Sequence, residues 1–162
     1  MKTLVVYYSR TGNTKKIGAE VAAALGADVE ELMDGKNRTG PIGFVMSGRE
    51  AMKKEPVALK PLDHDPADYD VVVVGSPIWA GTICTPVRTF LRQHRDSLKR
   101  VAWFCTSGSV EAETDGKGFA AMTEESSLSP VAALGLSGRH VKGDHAAALS
   151  RFVSAIAPGD TA

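Results

Sequence analysis

Ser9-Arg10-Thr11-Gly12-Asn13-Thr14 places four hydroxyl or amide side chains and one glycine in six residues, between an apolar run and a stretch of helical spacing. At a helix start the first-turn N–H groups lack partners and the helix dipole adds partial positive charge, so an anion is favoured before any side chain acts. The hydroxyls and the Asn13 amide add donors around it. The chemistry this suits is the holding of a terminal phosphate monoester without a lysine. Capping a helix takes one Ser, Thr or Asn, whereas nearly every position here is a donor. The stretch carries neither the G-x-x-x-x-G-K-S/T of a P-loop nor the G-x-G-x-x-G of a dinucleotide fold. A phosphoacceptor receiver domain is also disfavoured, because Tyr8-Ser9 and Ser76-Pro77 stand where its acidic residues belong. For Arg10, contact with the phosphate and exposure to water carry equal weight.

Two further stretches are candidates for the same site. Ser76, Pro77, Ile78, Trp79, Ala80 and Gly81 follow the most apolar strand of the chain. A tryptophan in a glycine-flanked loop is a core anchor or a stacking platform. Its expected position beyond a strand end favours stacking against a flat ring, with Phe44 next in line if the indole lies in the core. Gly81 is the residue best able to let a peptide reorient there. Thr106-Ser107-Gly108-Ser109 lacks the leading glycine of a G-x-S-x-G nucleophile elbow and reads either as an ordinary turn from strand to helix or as the turn that completes the site. His64, His94, His140 and His145 show no ligand spacing, and Cys84 and Cys105 form neither a CxxC pair nor a Cys/His cluster. Both cysteines read as buried, reduced thiols, and Glu111, Glu113 and Asp115 as a solvated loop.

The elements that must position these residues alternate. Residues 3–8 are a continuous apolar, β-branched and aromatic run, as in a strand buried on both faces, and residues 70–75, with a Val71–Val74 core, form the clearest strand, which Ser76-Pro77 is expected to end. Weaker strands are expected at 28–33 and 131–136 and a further buried one at 101–105. Helical spacing marks 13–25, with Gly26 as its stop, and helices are expected at 42–54, 86–98, 118–125 and 146–157. Residues 55–62 read as an extended surface segment. Five such units imply a doubly wound α/β fold with a five-stranded parallel sheet in the order 2-1-3-4-5. The ends of strands 1, 3 and 4 then span roughly 10 Å, comparable to a three-ring molecule, at the switch point where such sheets bind ligands.

The chain has 162 residues, 19 Lys+Arg against 19 Asp+Glu, and no charged tail, which argues against nucleic acid as a partner. The length fits one domain over residues 1–162 that buries roughly 70% of its unfolded surface without disulfides or metal. No apolar run reaches a membrane span of about 18 residues or a signal-peptide core, so a cytoplasmic address is expected.

Val5-Val6-Tyr7-Tyr8-Ser9-Arg10-Thr11-Gly12-Asn13-Thr14 resembles the FMN phosphate loop of the flavodoxin family, and Gly75-Ser76-Pro77-Ile78-Trp79 and Thr106-Ser107-Gly108 fall where that family places its two flavin-ring loops. Gly18 departs from the alanine usual in the pattern. The resemblance implies non-covalent FMN held by these three stretches. It also implies one-electron transfer to a redox partner protein, aided by a peptide next to Gly81. Two alternatives stay open: an NAD(P)H:quinone-type reductase serving a small-molecule electron acceptor, and a non-redox regulatory module on the same fold.

Overall fold

The computed structural model describes residues 1–108 and 116–157 of the chain. Chain order is β1 (Thr3–Tyr7), α1 (Asn13–Leu25), β2 (Asp28–Glu31), α2 (Gly40–Lys53), β3 (Val71–Trp79), β4 (Thr82–Ile83), α3 (Thr85–His94), β5 (Val101–Ser107), α4 (Lys117–Ser126), β6 (Ala133–Ser137), α5 (Gly138–Lys142) and α6 (Ala146–Ile156). Short 3-10 turns, Pro66–Asp68 and Arg95–Ser97, precede β3 and follow α3. The sheet runs β2-β1-β3-β5-β6, all parallel, with β4 paired antiparallel to the end of β3. Leaving the hairpin strand β4 aside, this is the expected 2-1-3-4-5 order.

Central strands whose successive apolar residues point to opposite faces require cover on both, and the helices provide it. Leu4 and Val6 of β1 and Val72 and Val74 of β3 face a core closed by Ala51 of α2, Val87, Phe90 and Leu91 of α3, and Met122 of α4. Val5, Tyr7, Val71 and Val73 face a second core closed by Ile17 and Val21 of α1, Val141 of α5, and Phe152 and Ile156 of α6. Each fully buried Val, Leu or Phe contributes about 1.5–3 kcal/mol, so the sheet is held from both sides.

Several boundaries differ from the sequence reading. Strand β3 does not end at Ser76-Pro77. Pro77 is the last residue paired with β5, opposite Thr106, and the strand then leaves the sheet as a hairpin in which Ile78 pairs Ile83 and Trp79 pairs Thr82. Ala80 and Gly81 form the two-residue turn, both at positive φ (49° and 76°), which is the geometry that matches hairpin twist. The second crossover helix begins at Gly40 because Pro41 fits its first turn. Strand β5 continues to Ser107, and α3 gives way to a 3-10 turn after His94. The short helix α5 escaped the sequence reading. It is started by the Ser137 hydroxyl, which accepts the His140 N–H at 3.4 Å. Among the described residues no helix is long and apolar enough to cross a membrane.

Gly18 has a packing cause. A Cβ there would sit 2.6 Å from Tyr7 Cδ1, so α1 lies against the Tyr7 ring only because residue 18 has no side chain. Gly75 is likewise covered by the Phe104 ring. Gly18→Ala gains about 1 kcal/mol of helix propensity, whereas forcing an atom into a packed core costs about 1–3 kcal/mol. We expect this variant to be less stable by about 1 kcal/mol in urea unfolding, and a raised midpoint would contradict the packing argument.

Candidate functional site

The register of β1, β3 and β5 brings their C-terminal ends to one edge. Tyr7 lies opposite Gly75, and Gly75 opposite Phe104. The loop after β1 turns through Gly12 at φ 98°, a value that disfavours any side chain, and Gly12 donates its N–H to Ser9 Oγ at 3.1 Å. No side chain caps α1, so its first-turn N–H groups are left for a ligand. Thr14 and Thr106 are both buried, and their hydroxyls meet at 2.8 Å, tying the helix start to the end of β5. In such a pair one hydroxyl donates to the other, and the acceptor keeps its own hydrogen to offer. The start of α5 closes the side, since a Cβ on Gly138 would come within 3.4 Å of Asn13 Nδ2 and 3.6 Å of the Ser107 carbonyl.

These elements enclose a cavity of about 190 Å³ lined by Arg10, Thr11, Asn13, Thr14, Pro77, Ile78, Trp79, Thr106, Ser107 and Gly108, all named by the sequence, together with Phe44. Ser9 and Gly12 shape the loop behind it. Ser76 does not line the cavity: it is fully buried, and its hydroxyl accepts the Cys84 N–H at 3.0 Å, fastening β3 to the start of α3. Ala80 lines a neighbouring cavity, and Gly81 sits exposed at the hairpin tip. Ser109, Glu111, Glu113 and Asp115 lie outside the described residues.

Trp79 differs from expectation in kind. It is the last residue of β3 and 7% exposed, with the Arg38 guanidinium 5.0 Å from its ring centre and Tyr8 edge-on at 5.5 Å. Its indole packs in the core beneath the cavity wall, with little surface exposed. Phe44 on α2 is 62% exposed, lines the cavity and lies under the Arg10 guanidinium at 5.2 Å, so it is the ring available for stacking.

Sequence reasoning missed what holds α2 in place. Arg38 is buried and donates Nε and Nη2 to Asp34 Oδ2 at 2.9 and 2.6 Å and Nη1 to Ser47 Oγ at 2.9 Å. Its Nη2 also lies 2.8 Å from Glu50 Oε2, and Lys36 Nζ donates to Glu50 Oε1 at 2.7 Å. The i,i+4 pair Asp34–Arg38 was a weak signal in an irregular segment. Burial, and then the Asp34 carboxylate, push the Tyr8 phenol up to about 12, so it stays neutral beside the site. Burial likewise raises the Cys84 thiol to about 12. Cys105 is in the core against α4, where a Cβ on Gly118 would meet its Sγ at 2.9 Å. The histidines are dispersed: His64 contacts Glu30 at 2.8 Å and His145 contacts Glu20 at 2.6 Å. Among the described residues no group of His, Cys, Asp and Glu could hold a metal ion.

An uncapped helix start over the switch point of a doubly wound sheet, opening onto a cavity with aromatic walls, defines a protein class that takes a phosphate-bearing planar ligand. A family model described as flavodoxin matches residues 2–134, and the chain belongs to the flavodoxin family. A flavoprotein from Bacteroides uniformis is similar in structure, with TM-score 0.71 and 26% identity over 87% of this chain and 95% of that one. A flavoprotein from Lactobacillus acidophilus, solved in complex with FMN, gives TM-score 0.65 and 22% identity over 84% and 91% of the two chains. Oxidised flavodoxin 2 from Bacillus cereus gives 0.62 and 20% over 98% and 99%.

The anchor of α2 carries a pH dependence. Burial opposes the charged form of Glu50, and hydrogen bonds and positive charge from Lys36 and Arg38 outweigh it, holding the carboxyl below its ordinary value of 4.5. A group lowered in the folded state stabilises it fully above the unfolded value, and that stability is lost as pH falls through the folded value. Amide protection across Gly40–Lys53 should therefore drop as pH is lowered below 4.5, and Glu50→Gln should flatten the response. An unchanged pH profile in the variant would contradict the assignment.

Proposed function

We propose that the chain is an FMN-dependent redox protein. The observation that carries this reading is the uncapped start of α1 joined to β5 by the Thr14–Thr106 bond, beside a cavity with apolar and aromatic walls. The donor set fits a dianionic terminal phosphate: backbone N–H groups, the Thr11 hydroxyl, the Asn13 amide and the hydrogen left over from the threonine pair. No second nucleotide motif provides for the adenosine half of FAD. When bound, FMN supplies the one- or two-electron chemistry, and the residues here hold and shield it. Thr11, Asn13 and Thr14 hold the phosphate, Ile78 and Phe44 wall the ring, and Thr106, Ser107 and Gly108 close its far side.

Two observations bear on where the electrons go. Gly81, at φ 76° with open space around it, leaves a peptide able to turn toward the cofactor edge, which supports one-electron transfer to a partner protein. The withdrawal of Trp79 into the core removes the cover that would have denied a small molecule access to the ring, and a second cavity adjoins the first. This favours a small-molecule acceptor.

Charged hydrogen bonds contribute about 1.5–3 kcal/mol each, so losing one or both hydroxyls in the double variant Thr11→Ala/Thr14→Ala should weaken FMN by at least about tenfold. Calorimetric titration of the apoprotein checks this. Equal affinity in the variant would remove the phosphate assignment.

A further inference from the structure

On the α2 side of the cofactor cavity lies a second one, of about 280 Å³, walled by Phe44, Val45 and Met52 of α2 and by Ile78, Trp79 and Ala80 of the hairpin. Of the hydroxyl and amide donors that make the first cavity a phosphate cup it has one counterpart, Ser47, whose oxygen accepts from Arg38 Nη1. Its volume lies just below the range for drug-sized ligands, about 300–1,000 Å³, and suits a compact ring system rather than a protein segment. Arg10 and Arg49 stand on its wall. Among the described residues neither has a carboxylate within ion-pair distance, whereas Arg38 beneath is balanced by Asp34 and Glu50. Apolar walls with unbalanced cations select a flat apolar body carrying a negative charge. Phe44, Ile78 and Trp79 wall both cavities, so an occupant of the second lies beside an occupant of the first.

We propose that this second cavity is the electron-acceptor subsite and that it takes an anionic aromatic quinone, its ring system against Phe44 and Met52 and its charge toward Arg49. The assignment rests on FMN occupying the first cavity. Two electrons and two protons then pass from reduced FMN to the quinone, leaving oxidised FMN and a hydroquinone, and FMN is reduced again by an external nicotinamide or, in vitro, dithionite.

Binding to the oxidised, FMN-loaded protein tests this without turnover. The probes are lawsone, a hydroxynaphthoquinone ionised at neutral pH, and menadione, its uncharged methyl counterpart. By calorimetry lawsone should bind about fivefold or more tighter than menadione, the worth of a partly exposed charge pair. Arg49→Glu should abolish that preference, and Met52→Trp, which fills the cavity from a 70% exposed position, should abolish binding of both. Both variants should keep the FMN affinity of the unaltered chain, which also reports that they fold. Equal binding of the two quinones, lawsone binding indifferent to both substitutions, or lawsone competing with FMN for the apoprotein would each overturn the proposal. Loss of FMN affinity in Met52→Trp would assign the second cavity to the cofactor itself and overturn the subsite while leaving the FMN reading intact. Failure of the unaltered chain to take up FMN would instead sink the underlying reading, and the subsite with it.

Discussion

The first turn of α1 presents backbone N–H donors that no side chain satisfies, and most of what surrounds the site follows from keeping them that way. Unpaired donors at a helix end are tolerated where water or a ligand reaches them. Gly12 lets the chain enter the helix without lending a side-chain cap, and the Ser9 hydroxyl oxygen accepts the Gly12 N–H within the loop itself. Thr14, one turn position further in, bonds Thr106 and so fixes the helix start relative to the end of β5. The sheet beneath supplies rigidity. Phe104 lies on Gly75 and Tyr7 on Gly18, so two glycines let large rings lock β5 to β3 and α1 to β1.

A second constraint governs the side of the site that differs from a plain phosphate cup. α2 projects Phe44, Val45 and Met52 outward, a costly arrangement for a helix unless it is pinned and those side chains have something to cover. The pinning comes from Arg38, bound to Asp34, Ser47 and Glu50, with Lys36 completing the balance of two positive against two negative charges. Buried ion pairs add little net stability over apolar packing, but removing one partner strands the other, so such a cluster fixes position. It also sets Trp79, because the guanidinium that anchors α2 lies over the indole. One buried arginine thus touches both the helix that carries Phe44 and the indole of Trp79.

The parallel sheet was legible because the cores of its central strands, residues 4–8 and 71–74, are unbroken apolar runs, a pattern that demands cover on both faces and so helices on both sides. The hydroxyl-rich loop was legible because its composition exceeds what a cap requires. What failed has identifiable causes. Ser76-Pro77 reads as a strand terminator by local rules, yet the ladder to β5 runs through Pro77 and a hairpin follows, because Ala80 accepts a left-handed backbone that residue type does not advertise. Ser76 carries the side chain of a ligand donor, but its hydroxyl belongs to the turn into α3. The burial of Trp79 could not be read from its neighbours in sequence, because it packs against Arg38, 41 residues away and joined to it only by tertiary packing. Phe44 was visible only as the second candidate, since the helix expected at 42–54 placed it on a crossover whose seating against the sheet depends on ion pairs that local sequence does not show.

If the open helix start is the anchor of the site, the ligand's phosphate must supply most of the affinity that the first loop can give. The most direct measurement is the affinity of the apoprotein for FMN against riboflavin, which has the same ring system and ribityl chain and no phosphate. Several charge-assisted bonds at about 1.5–3 kcal/mol each predict FMN binding at least about a hundredfold tighter, with the difference shrinking when Gly12 is replaced and the loop distorted. Riboflavin binding as tightly as FMN would contradict the account.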